Sequence, residues 1–149
     1  MFTSLLIATD GSDLSNKALA AGLDLARLHN ASVTIMTATD PVSTTLGAGG
    51  FGALDAGPIL DQLDAAYAAQ ASQILLAART MAEAAGIAAQ TLHVAQQRPA
   101  DAIVQTASER GCDTIVMGSH GRRGIERMLL GSQAAEVLAR ATVPVLIVK

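Results

Sequence analysis

The chain has no tryptophan, one tyrosine, two phenylalanines and a single cysteine in 149 residues. Aromatics are 2% of the chain while half of it is hydrophobic, so the core has to be aliphatic, built from Ala, Leu, Ile and Val. One cysteine, Cys112, excludes an internal disulfide and fits a reducing compartment, where it reads as a small apolar filler. Charged residues are also scarce, at 15% against about 25% in an average domain. Much of the surface must therefore be Ala, Gly, Ser, Thr and Gln. Net charge is −3 and the Lys and Arg residues form no basic run, which argues against general nucleic-acid binding. The first apolar run stops at Asp10 with no basic segment before it, too short for a signal peptide or a membrane span. A soluble, cytoplasmic protein is the expectation. There is no G-x-x-x-x-G-K-[ST] sequence anywhere, so any phosphate site here is not a P-loop.

What is present is a regular alternation. The length suits one domain, residues 1–149, able to bury roughly 68–70% of its unfolded surface without staples. Residues 4–9, 31–38, 113–117 and 143–148 read as strands, with a weaker one at 87–94, and the first, fourth and fifth in chain order are near-continuous apolar runs, as buried parallel strands are. Between them lie helical patterns. Leu14, Ala18, Ala21, Leu25 and Leu28 recur at helical spacing. Ser12 is placed to cap that helix and Asn30 to end it in the left-handed conformation. A long amphipathic helix runs from Pro58 to Gly86, a third opens at Pro99 and ends before Gly111, and a fourth spans about 132–140. Strand–helix alternation predicts an α/β fold: one open parallel sheet with helices on both faces. Residues 41–58 form a long Gly-rich connection containing G-x-G-x-x-G at Gly47, Gly49 and Gly52. It does not join a strand tightly to a helix, so the dinucleotide reading is rejected in favour of a flap.

The most informative stretch follows the fourth strand. Gly118, Gly121, Gly131 and Ser132 make the spacing G-x2-G-x9-G-S between an apolar run and a helix start. Glycines let a backbone approach a ligand or adopt positive φ, and a helix start offers free N–H groups to a phosphate. Arg122, Arg123 and Arg127 lie inside the segment, where an arginine fork suits phosphate; a solvated face is the plainer reading. His120 has no partner recognisable in the sequence. No positioned nucleophile–base pair or metal-ligand cluster stands out.

With the run Leu5, Leu6, Ile7, Ala8, Thr9, Asp10, Gly11, Ser12 at one end and residues 143–148 at the other, this constellation resembles the ATP-binding branch of the universal stress protein family over nearly the whole chain. The resemblance implies a Rossmann-like, flavodoxin-like five-stranded order of 3-2-1-4-5. It implies ATP as ligand, accompanied by Mg or Mn, with Thr9, Asp10, Ala38, Gly118, Gly121, Arg122, Gly131, Ser132 and Gln133 around it. Asp10 would meet the ribose hydroxyls or a metal, and the Ala38 main chain the adenine edge. It also implies a regulatory or stress-response role and a homodimer through residues 143–148. An interaction module of the same fold without nucleotide, and a slow ATPase, are the alternatives. Glu126, a negative charge inside the cradle, and Gln133, where a small apolar residue is usual, depart from the family pattern. One inference is independent of the resemblance: ligands of open α/β sheets bind at carboxyl ends of strands where the order reverses. If Asp10 and Gly118 share a site, strands one and four must be neighbours.

Overall fold

The computed structural model describes residues 1–42, 57–121 and 130–149. The Gly47–Gly52 motif and Arg122, Arg123, Glu126 and Arg127 lie outside the described residues. The elements alternate as β1 (Ser4–Ala8), α1 (Asp13–His29), β2 (Ser32–Ala38), α2 (Gly57–Ala84), β3 (Ala89–Val94), α3 (Pro99–Glu109), β4 (Thr114–Gly118), α4 (Ser132–Arg140) and β5 (Val145–Val148). The strands form one parallel sheet in the order β3-β2-β1-β4-β5. The order reverses between β1 and β4, which are neighbours in register from Leu5 opposite Thr114 to Ile7 opposite Val116.

Alternation along the central strands divides the core in two. Leu5 and Ile7 of β1, Val33 and Ile35 of β2 and Val116 of β4 face Leu19, Leu23 and Ala26 of α1 and Leu75, Ala78 and Ala82 of α2. Leu6, Met36, Ile115 and Met117 face the other way, onto Ile103 and Ala107 of α3 and Ala134 and Val137 of α4. Both faces of the inner strands are buried, as the continuous apolar runs predict. The core side chains are small, and α1 comes close to the sheet. A Cβ on Gly22 would lie 2.6 Å from Ile7 Cδ1.

Helix ends follow the local chemistry. The Ser12 hydroxyl accepts the Ser15 amide at the start of α1. At its end Asn30 takes φ 52° while the Ala31 amide reaches back to the Ala26 carbonyl. Gly86 (φ 74°) and Gly111 (φ 61°) close α2 and α3 with the same five-residue reach-back, from Ile87 to Ala82 and from Cys112 to Ala107.

Some boundaries differ from the sequence expectation. β3 begins at Ala89, because Ile87 is still completing the turn that ends α2. β4 runs one residue further than expected, through Gly118, and β1 ends at Ala8, although the Thr9 amide still donates to the Met36 carbonyl. β5 starts at Val145 after Pro144, whose carbonyl accepts the Ile115 amide.

At the amino end of the sheet Asp113 accepts the Thr3 amide and hydroxyl at 2.8 and 2.7 Å. Burial works against the charge there, but bonds from Thr3, Thr114 and the Ser4 amide outweigh it and hold the carboxyl well below the usual range. This edge is closed by its own contacts, and the opposite edge is where the molecule opens.

Candidate functional site

The carboxyl ends of β1, β2 and β4 border a cleft of about 570 Å³, walled by α2 and by the first turns of α3 and α4. That volume lies within the range of small-molecule sites, roughly 300–1,000 Å³. Thr9, Asp10, Ala38, Gly118, Gly121, Gly131, Ser132 and Gln133 all line it. Of the residues expected at the site, Arg122 alone lies outside the described residues.

β1 delivers the first group. Thr9 is buried, its hydroxyl paired with the Ser15 hydroxyl at 3.0 Å and accepting the Gly11 amide at 3.2 Å. Its side chain therefore pins the β1–α1 turn. Asp10 accepts the Ser12 amide at 3.0 Å, which orients its carboxylate.

β4 and α4 deliver the second group. At the mouth of the intervening segment the Gly131 amide donates to the Ser119 carbonyl at 2.7 Å, while the Ser119 amide is held by the Val148 carbonyl at 2.8 Å. The Ser119 hydroxyl pairs with His120 Nδ1 at 2.9 Å, so His120 has a structural partner that its position in the sequence did not reveal. Gly131 is the N-cap of α4, with φ −72° and ψ 157° and no side-chain cap. The first intrahelical bond runs from Ala135 to the Gly131 carbonyl. The amides of Ser132, Gln133 and Ala134 precede that bond and so have no acceptor within the helix, and all three residues border the cleft.

Of the two expected reasons for glycine here, close approach applies and positive φ does not. Gly118, Gly121 and Gly131 do not adopt positive φ; what matters is the missing Cβ. At Gly118 a Cβ would press on the His120 carbonyl and Leu14 Cγ, each at 3.3 Å; at Gly131 it would lie 3.0 Å from the Ser119 carbonyl. At Gly121 it would meet the Asp10 carboxylate at 2.9 Å. Two of the three glycines let protein pack on protein, and Gly121 brings the β4 loop against the acid at the end of β1.

Other features were not legible in sequence. Gln133 Oε1 accepts the Ala100 amide at 2.9 Å, so this side chain caps the neighbouring helix α3. Beyond β2, Thr39 pairs with His93 Nε2 at 3.0 Å, donates its amide to the Val94 carbonyl and accepts the Gln97 amide. The β2 exit is thereby fastened to the β3 exit. Gln70, Ala71 and Ile74 of α2 add a wall that no motif marks. Among the described residues no group of three or more His, Cys, Asp or Glu is placed to hold a metal ion.

Comparison with known proteins gives a consistent result. The family model described as the universal stress protein family matches residues 1–149. The chain is similar to the universal stress protein YxiE of Bacillus subtilis, 35% identical with the whole of both chains covered. Among solved structures it is similar to a universal stress protein in complex with cAMP, at 32% identity, TM-score 0.67 and coverage of 97% of this chain and 94% of that one. It shares its fold with a universal stress protein from Archaeoglobus fulgidus in complex with dAMP, at 23% identity, TM-score 0.69 and coverage of 99% and 98%.

The glycine geometry predicts two different outcomes. Gly118→Val drives a branched side chain into Leu14 and the His120 carbonyl, and should cost roughly 1–3 kcal/mol of stability as overpacking does. Gly121→Ala meets only the end of a movable carboxylate and should cost less than about 0.5 kcal/mol. Urea unfolding of both variants decides; equal losses would contradict the packing described.

Proposed function

We propose that this chain, which belongs to the universal stress protein family, is a cytoplasmic regulatory protein of the stress response that binds ATP in the cleft at the carboxyl ends of β1 and β4. The observation that carries this reading is the convergence of unlike groups on one cleft. The uncapped start of α4, with three amides and a positive helix end, faces the same space as the Asp10 carboxylate and an apolar wall from Ile74 and Ile103. A triphosphate suits the first, a ribose hydroxyl pair the second, and a purine the third. Main-chain groups of Gly118, Gly121 and Gly131 to Gln133 would surround the phosphates, and the Ala38 main chain the adenine edge. The relatives with cAMP and dAMP support an adenine nucleotide as the ligand class. Mg or Mn would accompany the triphosphate.

We also propose a homodimer. β5 is the outermost strand of its side of the sheet. Its four residues carry no charge, and Leu146 remains 40% exposed. Such an edge invites pairing, and the simplest closed solution is the same strand from a second copy, antiparallel about a two-fold axis.

Calorimetric titration with ATP tests the ligand. Gly121→Ala displaces the Asp10 carboxylate and should weaken ATP by about tenfold, the loss of roughly one hydrogen bond to a charged group. A parent protein that shows no binding at millimolar ATP would overturn the reading. For the assembly, light scattering at micromolar concentration should give about twice the 15.2 kDa chain mass. Leu146→Lys should shift it toward the monomer; a parent already at monomer mass would rule the dimer out.

A further inference from the structure

We infer that the Gln133 carboxamide is a phosphate ligand whose direction is set by helix α3. The inference rests on the nucleotide reading above and adds a side chain to it. α3 has no cap of its own: the Arg98 side chain at its N-cap makes no capping hydrogen bond to the helix, and Pro99 has no N–H. The first amide of α3 is therefore Ala100, a fully buried residue, and a buried amide needs an acceptor. Gln133, the second residue of α4, supplies one through Oε1 at 2.9 Å.

That bond removes the two-fold ambiguity of a carboxamide. A donor faces the oxygen, so the NH₂ group must lie on the other side. The Ala100 bond is the one hydrogen bond that the Gln133 side chain makes among the described residues, and no buried side-chain nitrogen or oxygen is left unpaired among them. The NH₂ group is thus reachable from outside the protein. Gln133 borders the cleft together with Ser132 and Ala134. Two neutral N–H donors there extend the row of main-chain donors at the start of α4, and they suit an anion's oxygens without adding a mobile charge.

The side chain is also kept from swinging. Arg98 pairs with Glu136 at 2.7 Å, and Arg140 pairs with Asp101, so two ion pairs tie the start of α3 to α4 beside the Gln133–Ala100 bond. Both are partly exposed and individually weak. Together they fix the spacing that the bond spans.

The test uses Gln133→Glu and Gln133→Met in the full chain. Glutamate keeps an oxygen for the Ala100 amide and replaces the donor with negative charge. Methionine keeps the length and removes both polar groups. ATP affinity should fall at least about tenfold in the glutamate variant and about three- to tenfold in the methionine variant. The glutamate variant should unfold thermally within about 2 °C of the parent without nucleotide. Adenosine, which has no phosphate, should compete with a fluorescent ATP analogue with the same inhibition constant in parent and variants, however weak it is. Parent-like ATP affinity in the methionine variant would overturn the inference, leaving only charge repulsion in the glutamate one. So would equal weakening of adenosine and ATP, which would mark a purely structural role. Either result leaves the nucleotide reading intact. A parent that binds no ATP overturns both.

Discussion

The hydrogen bond from the Gly131 amide to the Ser119 carbonyl, 2.7 Å long, is the constraint on which the site depends. It joins the end of β4 to the start of α4 across the segment between them. Once joined, the free amides of α4 have nowhere to point but over the carboxyl edge of the sheet. The contact is tight enough that a Cβ at Gly131 would lie 3.0 Å from the Ser119 carbonyl, and Ser119 is itself held by the β5 carbonyl of Val148. The sheet thus aims a helix end, which in isolation would be one surface terminus among several.

The second requirement comes from topology. Chain connections leave β1 and β4 on opposite sides of the sheet, so a crevice opens between them where no connection crosses. The β1 turn is pinned by Thr9 and Ser15; the β4 loop is brought against Asp10 by Gly121. An acid and a row of donors, far apart in the chain, end on one cleft. They do so because β1 and β4 are adjacent in register, and that adjacency follows from burying both faces of two short apolar strands. In this universal stress protein the site is a consequence of the sheet order rather than a local motif.

Much of the fold was legible because it is written in local chemistry. Ser12, Asn30, Gly86 and Gly111 mark helix ends by capping and left-handed geometry, and each does so in the structure. The apolar runs of β1 and β4 were recognisable because both faces of these strands are largely buried; β5, an equally apolar run, is only partly buried because it lies at the edge of the sheet. The Gly118, Gly121 and Gly131 spacing lies along the cleft; of the two reasons for glycine that the sequence offers, close approach and positive φ, the second does not apply here. Tertiary contacts were invisible. Nothing local says that Gln133 caps a helix 33 residues away, that His93 will meet Thr39, or that Ile74 of α2 will wall the cleft. Thr9 lines the cleft, yet its hydroxyl is committed to the protein's own turn, a pairing that only the folded chain creates.

The central claim is that one cleft, at the carboxyl ends of β1, β2 and β4, takes the nucleotide. Amide chemical-shift mapping of the isotope-labelled protein during an ATP titration tests it most directly. The account predicts the largest changes at Ala38, Gly118, Ser132 and Gln133, with Thr3, Gly86 and Asp113 at the opposite edge nearly still. Largest changes at that opposite edge, or no change at the start of α4, would contradict it.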